Sequence, residues 1–217
     1  MKLTDLLTGQ KVLEETQSKY NGEIKVINDL TWGKIIKAGE LTQSGGIVAK
    51  IWQQALKKVL KEKPIVKKCL ILGLGGGSAA KLTRQYWVTS QIVGVDIDER
   101  IVNLGKKYLG LGKVDMHIEI MDAEAFVIKN LKLKITNYDL IIVDLYNGDK
   151  FPEKFEKEEF AKNIKKLLNK KGIAVFNRLY GTDHRPDSMR FGRRLEKIFK
   201  KVDYIFPQAN LVFVCYN

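Results

Sequence analysis

The sequence predicts an α/β protein: a mainly parallel seven-stranded sheet with an antiparallel last strand, preceded by a small N-terminal region of β-hairpins. Three observations carry this. From residue 65 onward, strand-like apolar runs alternate with stretches of helical period, the pattern of βα units on a parallel sheet. The first of those runs, "CLILGL" (residues 69–74), stops in glycines and restarts as a helix. The last two runs, "VDYIFP" and "NLVFVCYN", are joined too tightly for the crossover of about a dozen residues that parallel neighbours need, so they pair antiparallel.

The elements follow in order. Residues 1–45 form the β-rich region: "GEIKVIND" alternates, with Ile24 and Val26 on one face, and "WGKIIKAGELTQ" follows the turn-like "NDLTWG". Residues 46–217 form the Rossmann-like part. Its first helix carries Ile47, Val48, Ile51, Trp52, Ala55, Leu56, Val59 and Leu60 as one stripe, and Pro64 marks its end. Then come "KCLILGL" and a helix from Ser78, "QIVGVDI" and the helix "DERIVNLGKKYL", "DMHIEIM" and "DAEAFVIKNLK", and "YDLIIVDLY" and a helix within "PEKFEKEEFAKNIKKLLNK". Gly172 opens the strand "GIAVFN", a helix starts near Pro186, and the antiparallel pair closes the sheet.

Composition sets bounds. With 217 residues, 45% hydrophobic and 29% charged, the chain reads as an ordinary globular protein. No apolar run approaches the ~18 residues that span a bilayer. The opening "MKLTDLLTGQKVLEETQ" lacks a signal-peptide core, so the reading is cytoplasmic, with no membrane partner. Cys69 and Cys215 sit in apolar runs without metal-ligand spacing, which reads as buried free thiols and no metal. The net charge is +13, but the lysines are dispersed over helix-like stretches such as "LKKVLKEKPIVKK", as on solvated faces. A nucleic-acid partner has no support beyond that charge. Arginine is different: five of seven fall between Arg178 and Arg194. Helical spacing of Arg190, Arg193 and Arg194 near Glu196 suits a solvated helix, and a lone loop histidine, His184, is more often incidental than catalytic.

In such sheets a ligand lies beyond the carboxyl ends of the strands, where strand order reverses. Gly73, Gly75 and Gly77 let the backbone bend and a ligand approach, and the helix after them offers free N–H groups. The dinucleotide fingerprint fails from Gly73 but is met from Gly75 through Ala80, so spacing alone leaves NAD open; no G-K-[ST] follows, which argues against a P-loop. Asp96 ends the second strand, where a carboxylate takes ribose hydroxyls. Asp122 ends the third, where it could face an adenine amino group, and Asp144 ends the fourth. Any one of these, or Asp98, could simply cap a helix. Together with the glycine turn they share one edge of one sheet.

In this order the landmarks resemble the class I S-adenosylmethionine-dependent methyltransferases. More closely, they resemble the spermidine synthase (polyamine aminopropyltransferase) family, which shares that fold. The N-terminal part adds to the likeness. "SKYNGEIKVIND" resembles the family's opening hairpin, and "AGELTQSGGIVAKIWQQAL" resembles its D-G-x-x-Q stretch followed by Y-Q-E or Y-H-E. The resemblance implies a transferase whose co-substrate is decarboxylated S-adenosylmethionine, or S-adenosylmethionine itself, with a small-molecule amine as acceptor and no metal. It implies that the glycine turn, Asp96, Ile97 and Gln43 hold the nucleoside, that Asp122 with Ala123 meets the adenine, and that Asp144 is the carboxylate at the reacting centre. Trp52 and Gln53 would take the places of the family's tyrosine and the polar residue after it; with Tyr146 and Asn147 they would bind the acceptor, although Trp52 also lies on the apolar stripe. A homodimer paired through the hairpins is implied as well.

Two positions depart from the family pattern. Its G-G-G-D-G-G turn reads Gly73, Leu74, Gly75, Gly76, Gly77, Ser78 here, so a glycine stands where a carboxylate would favour an ammonium and repel the carboxylate of S-adenosylmethionine. Its D-S-S-D-P reads Asp144, Leu145, Tyr146, Asn147, Gly148, with Asp149 and Glu153 nearby as substitutes. Aminopropyl transfer and methyl transfer on the same scaffold both stay open, as does a catalytically silent nucleoside binder. The arginine-rich segment, which borders the acceptor site in this fold, would suit an anionic acceptor.

Overall fold

The computed structural model describes residues 9–148 and 150–217; Asp149 and the first eight residues of the predicted hairpin region lie outside the described residues. Strands β1 (Gln10–Ser18), β2 (Gly22–Asp29), β3 (Gly33–Ala38) and β4 (Leu41–Gly45) form an antiparallel sheet in that order. Its inner face buries Ile24, Val26 and Ile36. Helix α1 (Gly46–Glu62) then leads into the alternating part.

That part contains β5 (Lys68–Leu72), α2 (Ser78–Tyr86), β6 (Gln91–Asp96), α3 (Glu99–Tyr108), β7 (His117–Ile120), α4 (Ala123–Lys132) and β8 (Tyr138–Val143). Next come α5 (Glu153–Glu156), α6 (Glu158–Leu167), β9 (Leu168–Leu179), α7 (Arg185–Ile198), β10 (Lys201–Ile205) and β11 (Asn210–Tyr216). The seven strands lie in the order β10-β11-β9-β8-β5-β6-β7, with β11 antiparallel to both its neighbours. The chain builds outward from β5 through β6 to β7, then returns to lay β8 on the other side of β5. Strand order therefore reverses between β5 and β8, and a crevice opens above their carboxyl ends.

Two predicted boundaries differ. Gly172 does not open its strand: β9 starts at Leu168, opposite Tyr138, and the ladder resumes at Ile173 opposite Leu140 after an irregularity. The intervening "NKKG" is polar, which hides the pairing from an apolar-run reading. The predicted helix within 152–170 is two helices, because Lys157 is extended (φ −65°, ψ 142°) between them. Strand β1 escapes the sequence reading for a related reason: "QKVLEETQS" is mostly half-exposed and polar.

The small sheet is bound to the large one by a shared core. Ile24, Val26 and Ile36 pack with Ile51, Ile71 and Ile101 in one apolar cluster, each such burial contributing about 1.5–3 kcal/mol. Polar contacts fix its position. Asp98 accepts hydrogen bonds from the Ser18 hydroxyl and from Asn21 Nδ2 (2.6 Å), and Glu14 accepts from Lys107 (2.6 Å) and from the Tyr108 hydroxyl (2.7 Å).

Candidate functional site

At the switch point the backbones nearly touch. Gly73 has φ +84°, and a Cβ there would stand 2.0 Å from the Asp144 carbonyl oxygen, so only glycine fits. The turn swings over the end of β6, where Asp96 holds it: Gly75 N donates to Asp96 Oδ2 at 2.6 Å, and Asp98 N donates to Oδ1 at 2.9 Å. Gly77 (φ +89°) is the N-cap of α2.

Above the turn lies a cavity of about 500 Å³, the size of a cofactor pocket. Its walls include Gly73, Gly75, Asp96, Ile97, Asp122, Ala123, Gln43, Asp144, Tyr146 and Asn147, so ten of the residues singled out in the sequence meet at one space. Gln43 Nε2 reaches across to the Gly148 carbonyl at 3.1 Å. The Tyr146 hydroxyl accepts from Leu179 N at 2.6 Å, and its ring meets Phe151 edge-on.

Four residues singled out in the sequence stand elsewhere. Gly77 is buried behind the turn against Leu111 and is not part of the wall. Trp52 is 1% exposed and lies beneath the cavity in the core; its contribution is an indole N–H donated to Asp144 Oδ2 at 3.0 Å. Gln53, one residue on and about 100° around the helix, is exposed and away from the cavity. Glu153 is likewise exposed and outside the lining.

The carboxylates differ in state. Burial lifts Asp96 to about 6, against the lowering effect of the N–H groups of Asp98 and Gly75. Burial also raises Asp144, opposed by the donors Asn177 (Nδ2 to Oδ1, 2.9 Å) and Trp52. Asp122 caps α4 through Ala125 N (3.0 Å) and pairs with Lys154. Burial pushes its carboxyl up, but Lys154 and the helix N–H groups outweigh burial and hold it low. Asp98 is an N-cap too, accepting from Arg100 N at 3.0 Å.

The cavity also gathers residues that the sequence reading passed over: Tyr20, Asn21 and Glu40 from turns of the small sheet, Lys154 from α5, Asn177 from the end of β9 and Asn210 from the start of β11. The charged groups among the described lining residues are Glu40, Asp96, Asp122 and Asp144 against Lys154 alone. A chain of net charge +13 thus keeps an acidic hollow.

The arginine-rich segment is spent elsewhere. Arg178 is 5% exposed, pairs with Glu156 at 2.6 Å and stacks over Phe151 and Phe191. Arg194 donates to the Glu156 carbonyl at 3.1 Å, Arg190 pairs with Asp187, and Arg185 lies over Tyr180. None of them, nor His184, lines the cavity, so the expected basic border of the site does not form. Among the described residues no group of three histidine, cysteine or acidic side chains is placed to hold a metal, and no helix is long and apolar enough to cross a membrane.

Comparison with known proteins gives a consistent picture. Residues 51–209 match the model of the spermine/spermidine synthase domain. The chain is 26% identical over 202 residues to polyamine aminopropyltransferase 1 of Aquifex aeolicus, covering 90% of this chain and 70% of that one. It is 31% identical over 115 residues to the polyamine aminopropyltransferase of Vibrio vulnificus, where the match spans 52% of this chain and only 38% of the relative. Among solved structures it superposes on a spermidine synthase in complex with the transition-state analogue AdoDATO, with a TM-score of 0.80, 18% identity and coverage of 95% of this chain and 73% of that one. It also matches human methyltransferase-like protein 13 in complex with SAH, with a TM-score of 0.63, 21% identity and coverage of 78% and 80%. These likenesses establish the methyltransferase-like α/β fold.

Proposed function

The chain belongs to the spermine/spermidine synthase family, and from that premise we propose that it transfers an aminopropyl group from decarboxylated S-adenosylmethionine to a small amine. The observation that carries this reading is the acidic hollow ending at Asp144. A sulfonium and a protonated amine are both cations, and here a strongly basic chain sets four carboxylates against one lysine among the described lining residues.

Each wall residue then has a task. Gly73 and Gly75 leave room for the nucleoside, Asp96 accepts the ribose hydroxyls, and Ile97 and Ala123 sandwich the adenine beside Asp122. Gln43 ties the small sheet to the loop after β8 and closes that end. Tyr146 and Asn147 face the acceptor. Asp144 takes a proton from the attacking amine, which must be neutral to react. Nitrogen bonds to the propyl carbon as the carbon–sulfur bond breaks, and the sulfur leaves as a neutral thioether nucleoside. The rest is positioning of the two reactants in line. The enzyme acts in the cytoplasm as a homodimer paired through the hairpin sheet, which exposes Val12, Leu30 and Trp32.

One observation favours a second reading, methyl transfer from S-adenosylmethionine. Gly76 is packed so that a Cβ would come within 2.9 Å of Ile36, Ser44 and Leu109. A carboxylate that would repel the amino-acid carboxyl of S-adenosylmethionine therefore has no place at that turn. Calorimetry with the two donors, followed by incubation with diamines, separates the readings. Tighter binding of the decarboxylated donor by at least ~10-fold, with release of the thioether nucleoside, supports aminopropyl transfer. Equal or tighter binding of S-adenosylmethionine shifts the assignment to methyl transfer.

A further inference from the structure

Three adjacent strands bring one polar side chain each to the same wall. Asp144 follows β8, Asn177 lies in β9 and Asn210 opens β11. Asn177 Nδ2 donates to Asp144 Oδ1 at 2.9 Å, and Asn210 Nδ2 donates to Asn177 Oδ1 at 2.9 Å. Both asparagines are buried, at 5% and 7% exposure. The direction of this chain is set by its end. A carboxylate only accepts, so Asn177 must present its NH2 group to it, which leaves the Asn177 oxygen for Asn210, which must in turn present its own NH2. Every dipole then points the same way, and hydrogen bonds in such a series strengthen one another. On the other side, Trp52 donates to Oδ2, and an indole N–H cannot accept. Both carboxylate oxygens are thus pinned by neutral donors.

We propose that Asn177 and Asn210 are positioning residues, a one-way amide chain that fixes the rotamer of Asp144, stabilises its ionised form and leaves its remaining lone pairs facing the cavity. The proposal rests on the reading of Asp144 as the proton-accepting group. No cation does this work: Lys154, the one cation among the described lining residues, is engaged by Asp122. The ionisable groups facing Asp144 are Asp96 across the glycine turn and Tyr146 on the following loop. Neither would stabilise a negative charge there as a cation would, so loss of the amide chain has no substitute. Asn210 also lines the cavity but reaches Asp144 only through Asn177, so titrating Asp144 in the ligand-free protein isolates its effect on that carboxylate.

The test is the titration of Asp144 itself, followed by carbon NMR of labelled aspartate, with Asp144→Asn identifying its signal, alongside the pH profile of turnover. Asn210→Leu keeps the volume and removes the donor; Asn210→Ala is measured beside it in case the larger side chain disturbs the strand. In both, the midpoint of Asp144 is expected to rise by about half to one pH unit, and the acid limb of kcat to move with it, while KM for the donor changes less than about twofold. Asn177→Leu should shift the midpoint further, and adding Asn210→Leu to it should do nothing more, because the distal residue acts only through the proximal one. An unmoved midpoint in both Asn210 variants, or effects that add, overturns the proposal. If the unaltered protein transfers nothing from either donor, the functional reading falls, while the titration still decides the positioning claim.

Discussion

Asp96 holds its proton more tightly than the same residue would in an unfolded chain, because burial lifts its carboxyl to about 6. The sign for stability follows. The residue favours the folded state below about pH 4, and that contribution is lost as pH rises through about 6. Ligand binding works in the opposite sense, since ribose hydroxyls donate to the ionised form. Nucleoside affinity is therefore expected to be constant above about pH 7 and to weaken as pH falls through about 6, with Asp96→Asn binding more weakly and losing this dependence; calorimetry across that range checks it. At Asp144 the expectation is a separation of binding from chemistry. Asp144→Asn should abolish transfer while leaving nucleoside binding within a few-fold, as measured by turnover and by calorimetry; a variant with full activity would remove the catalytic assignment. Trp52→Phe keeps the buried ring but deletes the donor to Oδ2, so kcat near neutral pH should fall by about tenfold, the loss of roughly one hydrogen bond to a charged group.

The element that depends most on a single missing atom is the glycine turn. Helix α3 leans on it so closely that a Cβ on Gly105 would meet Gly76 Cα at 2.6 Å, while Gly76 N is capped by the Ser44 hydroxyl at 2.7 Å. Gly76→Ala should cost about 1–3 kcal/mol in urea unfolding, the range for overpacking a filled core. Gly112→Ala, whose nearest contact would be 3.7 Å, should cost well under 1 kcal/mol. This is also where legibility in the sequence ends. Strand-end aspartates, the glycine turn and the α1 stripe could be read from the chain because each obeys a local rule: an apolar run stops, a turn needs glycine, or a helix repeats. The small sheet's first strand, the break at Lys157 and the start of β9 at Leu168 could not, since each lies in polar sequence without an apolar run to mark it, and Leu168 pairs with Tyr138, 30 residues away. The same holds for the exchange of roles at Trp52 and Gln53. Family-like spacing put both at the acceptor, but helical geometry turned one into the core and the other into solvent. Asn210 was invisible for a plainer reason: its partner lies 33 residues away, across an antiparallel pairing.

Across the whole molecule, the charge is divided between a basic surface and an acidic hollow. A cationic sulfonium should accordingly bind less tightly as salt rises, while its neutral thioether product should bind equally well at low and high salt; equal salt dependence of the two would show that the carboxylates of the cavity are neutralised. The expected difference is modest, a few-fold over a tenfold change in ionic strength, because groups inside a pocket are screened less than surface charges. A last consequence follows from the hydrogen bonds that Ser18 and Asn21 donate to Asp98, 80 and 77 residues further along. The hairpins leave the ribosome before the carboxylate that anchors their turn is made. At about 5–20 residues per second, the wait is roughly 4–16 seconds. During it Ile51 and Ile71 emerge and offer Ile24, Val26 and Ile36 an apolar cover, so the small sheet meets its greasy partners before its polar latch, and Ile101 completes the cluster only after Asp98 is made.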